Sequence, residues 1–229
     1  MGKRIQFNEN YFEKIDSEDK AYFLGFILAD GCVSDDKKSR RKCLTIHIST
    51  KDIKILETFK EKIEYQGDVW YHNQRDTCQI RVSSPKIVKD LYKYSIIPRK
   101  TNSVKFPNIP KNLENHFMRG VFDGDGCISI HKENRIGKGI DRGQVNLCSG
   151  SKDFIYKYID KLIEYANVKR NKIRFLNESY YIIDWGGMTD VENIYHFLYK
   201  DATIFLERKK KTFDKVYDIT KHVTKYRKK

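Results

Sequence analysis

Two aspartates stand at matching points of a duplicated segment. Gly25–Ser34 reads GFILADGCVS and Gly120–Ser129 reads GVFDGDGCIS, with Gly, Asp, Gly, Cys and Ser shared in register. Asp30 and Asp125 therefore occupy the same local frame, each followed by a glycine. Helical spacing precedes both. Ala21, Gly25 and Ala29 fall on one helix face, and Gly120 and Gly124 repeat that stripe of small side chains. Small residues let two helix backbones approach closely. Glycine inside a helix costs about 0.5–1 kcal/mol relative to alanine, so its recurrence in both copies predicts a helix–helix contact. Side-by-side packing brings two carboxylates and two negative dipole ends together. Such a cluster calls for a cation, and oxygen donors fit a hard divalent ion such as Mg2+, or Mn2+ in its place. Gly31 and Gly126 are expected to end their helices in the left-handed conformation.

The elements that must position these acids also come in pairs. Leu44–Phe59 is echoed by Val145–Ile159, and Ile96–Thr101 by Phe205–Lys210. Three echoes in one order indicate duplication. They divide the chain into a first repeat (1–105), a linker (106–111), a second repeat (112–217) and a basic C-terminal tail (218–229). Each half reads helix, strands, helix, strands, helix, which is an α+β pattern. Ser17 is placed to cap a helix from Glu18, and Pro85 to open another. Cys43–Ser49, Gln79–Ser83 and Arg170–Phe175 alternate as half-buried strands, while the facing of Tyr180–Trp185 stays open by parity. Asp35–Lys42 is expected to be a charged loop and His222–Lys229 a partly disordered tail.

Charge points to the partner. In 229 residues, 45 Lys+Arg stand against 31 Asp+Glu, a net charge of +14. Such an excess favours a polyanion. No apolar run reaches the roughly 18 residues of a membrane span, and the N-terminus has no hydrophobic signal region, so neither a membrane nor a secreted location is expected. The five cysteines are odd in number and form no C-x-x-C pair, which argues against a disulfide framework or a structural zinc site. An intracellular, reducing compartment (cytoplasm, nucleoid or organelle matrix) is expected.

Phe23–Gly31 (FLGFILADG) and Met118–Gly126 (MRGVFDGDG) resemble the two signature segments of a LAGLIDADG homing endonuclease in its single-chain, two-repeat form. The resemblance implies two pseudo-symmetric αββαββα repeats, each with an antiparallel four-stranded sheet, packed through the two motif helices into a saddle that straddles DNA. It implies a monomer whose divalent metals drive double-strand hydrolysis. By the same resemblance the metal-binding acids fall on Asp30 and Asp125, and the carbonyls before them on Ala29 and Gly124. A catalytic lysine beside each site falls on Lys100 and Lys209, where a point charge can stabilise the pentavalent phosphate. The family's water-positioning glutamine is replaced by Thr50 and Ser151, and an aspartate common in the motif is Leu28 in the first copy and Asp123 in the second.

Strand residues would read the DNA. A ten-residue strand spans roughly 33 Å, close to one DNA turn, so two sheets cover about 20 base pairs. The polar strand positions are Arg41, Thr45, His47, Gln79, Arg81, His131, Arg142, Gln144, Asn146, Arg170, Lys172 and Arg174. Arginine suits guanine, and Asn or Gln suits adenine, in the major groove. The leading expectation is a site-specific DNA endonuclease that acts in intron homing. The alternatives are an RNA maturase that binds intron RNA and a non-cleaving DNA-binding regulator on the same scaffold. A nuclease carried within a protein-splicing element ranks lower, since no splicing segments flank the repeats in this sequence.

Overall fold

Helix α1 (Glu18–Asp30) has no polar side: every residue from Ala21 to Leu28 is buried. A helix apolar all round has to be covered all round. The computed structural model, which describes residues 5–36, 41–72, 74–135 and 138–227, shows what covers it. Strands β1 (Gly31–Asp36), β2 (Arg41–Ser49), β3 (Trp70–His72) and β4 (Thr77–Ser83) form an antiparallel sheet of order β1-β2-β4-β3. Leu44, Ile46, Ile80 and Val82 are buried on one side of it. Helices α2 (Ile53–Lys62) and α3 (Pro85–Lys93) complete the first repeat, with Phe23 of α1 meeting Phe59 of α2 at a ring separation of 5.0 Å.

Helix α4 (Glu114–Asp125) supplies another part of the cover. Residues 1–124 form one compact unit, so α4 up to Gly124 belongs with the first repeat's elements. The two helix backbones touch where the sequence puts glycine. A Cβ on Gly25 would overlap the Phe117 carbonyl oxygen and lie 2.9 Å from the Val121 nitrogen. A Cβ on Gly120 would overlap the Tyr22 carbonyl oxygen and lie 2.8 Å from the Phe26 nitrogen. The contact is thus reciprocal, each glycine sitting on the matching turn of the other helix.

Residues 125–229 form the second unit. Strands β5 (Gly126–Arg135), β6 (Lys138–Ser149), β7 (Arg174–Leu176) and β8 (Tyr180–Trp185) repeat the first sheet's order as β5-β6-β8-β7, again antiparallel. Helices α5 (Lys152–Ala166), α6 (Met188–Tyr199) and α7 (Glu207–Arg227) complete it. Val145, Leu147, Ile183 and Trp185 are buried, which settles the facing of β8.

Four expectations need correction. Gly31 is extended (φ −84°, ψ 146°), not left-handed, because the chain runs straight from α1 into β1. A side chain is excluded there for another reason: a Cβ would lie 2.5 Å from the Ile27 carbonyl oxygen. Strand β7 begins only at Arg174, since the preceding segment is held by side chains instead of a ladder. Asn171 Nδ2 donates to the Asp184 carbonyl at 2.7 Å, and Trp185 Nε1 to the Lys169 carbonyl at 3.2 Å. Asp35, Asp36, Arg41 and Lys42 are not loop but extend β1 and β2, where Asp35 and Lys42 pair at 2.9 Å; the rest of the expected loop, 37–40, lies outside the described residues. The tail from 218 to 227 continues α7 as regular helix.

The reciprocal glycine contact leaves no room for a side chain at backbone atoms. Gly25→Leu and Gly120→Leu are each expected to lower stability by at least about 1–3 kcal/mol, the usual cost of overpacking. Thermal melts check this, and an unchanged midpoint in either variant would remove the glycines from the interface.

Candidate active site and nucleic-acid face

Each acid ends a helix and is followed at once by a strand, so its position is fixed from both sides. Asp30 closes α1 with an exposed side chain, and Asp125 closes α4. The residue after each acid offers its carbonyl to a lysine. Lys100 Nζ donates to the Gly31 carbonyl at 2.5 Å, and Lys209 Nζ to the Gly126 carbonyl at 2.5 Å. These contacts match in the two repeats although the lysines come from different elements. Lys100 opens a single 3-10 turn after Arg99, whose left-handed backbone (φ 58°, ψ 33°) redirects the chain. Lys209 lies in the first turn of α7 and is 8% exposed. A buried ammonium persists beside negative charge and carbonyl dipoles.

The backbone before Asp125 closes on the first acid. A Cβ on Gly124 would overlap that of Ala29 and lie 3.2 Å from Asp30 Oδ2. Glycine there keeps the space beside the Asp30 carboxylate open to backbone oxygen. The structure therefore brings Ala29, Asp30 and Gly124 together, with Lys100 one residue away. In the second unit, Asp125 and Lys209 are joined by a residue that the sequence reading missed. Cys148 Sγ donates to the Asp125 carbonyl at 3.4 Å. Burial, with the Asp125 charge adding to it, pushes this thiol above its usual range and keeps it a protonated donor. Among the described residues no three His, Cys, Asp or Glu side chains converge on one point. The donors at each acid are carboxylate and carbonyl oxygens, a set that suits Mg2+, which binds through one or two carboxylates and otherwise keeps water and phosphate.

The residues that replace the family's water-positioning glutamine face other tasks. Ser151 is buried and caps α5, its Oγ accepting from the Phe154 amide at 3.4 Å. Thr50 Oγ1 donates to the Asp76 carbonyl at 3.2 Å. Asp123, at the position of Leu28, is buried and accepts from Tyr22 Oη at 2.8 Å. Burial and the neighbouring Asp123 charge hold the Tyr22 phenol well above its usual range, so it stays a donor.

Most of the expected base-reading residues share a sheet face. In the first sheet Thr45 pairs with Arg81 and His47 with Gln79, so all four point to the side away from Leu44 and Ile46. Arg81 donates to Cys43 Sγ at 3.3 Å, and His47 Nε2 lies 2.9 Å from Thr77 Oγ1. In the second sheet His131 pairs with Arg142, and Gln144, Asn146 and Arg174 lie on that same side. Asp184 interrupts the basic surface. It accepts from Gln144 Nε2 at 3.2 Å and pairs with Arg174. Arg170 and Lys172 lie ahead of β7, outside the sheet, and Arg170 pairs with Asp160 of α5. Arg41 is on β2, but its side chain lies outside the described residues.

Three comparisons bear on this arrangement. The LAGLIDADG-like domain family matches residues 17–94. A LAGLIDADG homing endonuclease, I-LtrWI, solved with its target DNA, superposes with a TM-score of 0.63 over 94% of this chain and 92% of its own, at 15% identity. The fold is that of the LAGLIDADG homing endonucleases. I-GzeII in complex with its DNA target gives 0.66 over 90% and 91% of the two chains at 14% identity, and I-AabMI bound to uncleaved DNA gives 0.64 over 89% and 91% at 16%. Among curated proteins of Methanocaldococcus jannaschii, a reverse gyrase is 31% identical over 111 residues, 48% of this chain. A probable translation initiation factor IF-2 is 22% identical over 215 residues, 90% of this chain. The chain spans only 6% and 16% of those two relatives. No helix among the described residues is long and apolar enough to cross a membrane.

The Tyr22–Asp123 bond gives a stability test. Tyr22→Phe removes the phenol from a buried carboxylate and is expected to cost about 1–3 kcal/mol. Combining it with Asp123→Leu, the residue at the matching position of α1, is expected to recover part of the loss. Urea unfolding of the two variants checks both, and a double variant no more stable than Tyr22→Phe alone would contradict it.

Proposed function

We propose that this chain is a homing endonuclease: a single-chain, site-specific DNA endonuclease that hydrolyses both strands of a target of about 20 base pairs with a divalent metal, Mg2+ or Mn2+. The observation that carries this reading is the repeated unit of acid, following carbonyl and lysine, once in each repeat. A module that only bound nucleic acid would have no use for a partly buried lysine beside each helix-end carboxylate. The net charge of +14 and the amide, histidine and arginine side chains on each sheet face supply binding. Solved proteins of this fold carry DNA targets, which supports duplex DNA as the partner. The two curated relatives differ in activity and share only a small part of their length with this chain. Neither whole-protein activity is therefore carried over.

Each repeat serves one strand. Asp30 and Asp125, with the carbonyls of Ala29 and Gly124, would be the ligands to divalent metal. When bound, it would polarise a phosphate oxygen and lower the pKa of a water. Lys100 and Lys209 hold a positive charge at a fixed distance from the acids. They stabilise charge that grows on the phosphoryl oxygens during the displacement. Because each ammonium is already seated on a carbonyl, little reorganisation accompanies the reaction. The sheet faces fix the register of the duplex over the acids.

Selection of cleaved sites from a randomised duplex library with Mg2+ supplies the substrate for the test. Asp30→Asn and Asp125→Asn keep the side-chain shape and remove the charge that a divalent ion needs. Each variant is expected to bind the selected DNA in Ca2+ at least as tightly as the parent and to lose double-strand cutting of a supercoiled plasmid. Parent-rate linearisation by both variants would disprove the assigned site. A parent that binds the duplex without cutting would favour the regulator reading, and preferential binding of structured intron RNA the maturase reading.

A further inference from the structure

The α1–α4 contact is symmetric in its backbone and asymmetric in its side chains. The glycine contacts relate each residue of one helix to its counterpart in the other: Gly25 to Gly120, Tyr22 to Phe117. Polar side chains cross the contact at two places, around Glu18–Arg119, where His116 Nδ1 also lies 3.7 Å from Glu18 Oε1, and at Tyr22–Asp123. Arg119, fully buried, donates to Glu18 Oε1 at 2.6 Å and lies over the Tyr22 ring at 5.4 Å. His116 Nδ1 sits 3.0 Å from the same guanidinium. Tyr22 Oη donates to Asp123 at 2.8 Å. The symmetry-related positions carry no charge. The counterpart of Glu18–Arg119 is Leu113 with Leu24, and that of Tyr22–Asp123 is Phe117 with Leu28, all four buried.

We infer that this polar half is a partner code: it makes α4 the helix that α1 accepts and rejects the α1 of a second copy of the chain. In a pairing of α1 with α1, Glu18 would face Leu24 and Tyr22 would face Leu28. In a pairing of α4 with α4, Arg119 would face Leu113 and Asp123 would face Phe117. Each arrangement buries carboxylate, guanidinium or hydroxyl groups against hydrocarbon, which is expensive. The apolar half and the glycines do not discriminate, because they are the same from either side. Discrimination therefore lies in Glu18, Tyr22, Arg119 and Asp123, with His116 beside the first pair. Polar groups at otherwise apolar helix seams select register and partner in coiled coils by the same penalty.

The code predicts complementation between copies. Glu18→Arg places two guanidinium groups together and Arg119→Glu two carboxylates, so each single variant of the full chain is expected to melt about 10 °C or more below the parent. Carrying both changes in one chain restores an opposite pair and is expected to recover most of that loss. The decisive sample mixes the two single variants, differently tagged, in denaturant and refolds them together. Exchange of helices between copies then restores one reversed pair and one parental pair. The expected result is a particle of two-chain mass by light scattering, captured through either tag, with a melt above that of each variant refolded alone. The inference is overturned if neither single variant is destabilised. It is also overturned if the same-chain double recovers the parent's melt while the mixture stays uncaptured across tags and melts like its components.

Discussion

The close approach of two helix backbones at Gly25 and Gly120 is the constraint on which the rest of this structure depends. With carbonyl oxygens of one helix lying where a Cβ of the other would be, α1 and α4 cannot shift along or roll over one another by even a methyl group. That fixed contact runs the length of the helices and ends at Ala29 and Gly124. The Asp30 carboxylate is held against the backbone of Gly124 as a consequence of packing.

The lysines show a second use of backbone. Each is anchored on the carbonyl of the residue that begins the strand after its acid, so acid and lysine share one piece of main chain. Strand pairing fixes that piece: Gly31 opposite Ile46 and Gly126 opposite Leu147. The sheet that carries the exposed polar side chains is therefore the same sheet that places the lysine beside the acid. On the proposed function, binding register and chemistry would be coupled through two or three residues of each strand.

Much of this was legible in the sequence because duplication doubles the signal. A glycine, an aspartate and a following glycine mean little once, but recurring in register they mark two helix ends. Alternation placed Thr45, His47, Gln79 and Arg81 on one face of the first sheet, with Gln144 and Asn146 on the exposed face of the second. It failed at Arg170–Ile173, where Asn171 Nδ2 ties the segment to the Asp184 carbonyl and Trp185 Nε1 holds the preceding Lys169 carbonyl, side-chain bonds that periodicity does not register. Cys148 and Asp184 were missed because their roles depend on cross-strand neighbours distant in sequence. The polar half of the helix pair was equally hidden. Arg119 looks like a surface residue until its partner, Glu18, is placed opposite.

On the proposed function, each repeat brings one acid–lysine unit to one DNA strand. The most direct measurement is strand-resolved cleavage of a selected duplex labelled differently on its two strands, using Lys100→Met and Lys209→Met. Each variant is predicted to slow cutting of one strand, a different strand for each, by about 100-fold or more while the other strand is cut near the parent rate. Equal slowing of both strands by either variant, or no slowing by both, would contradict the claim.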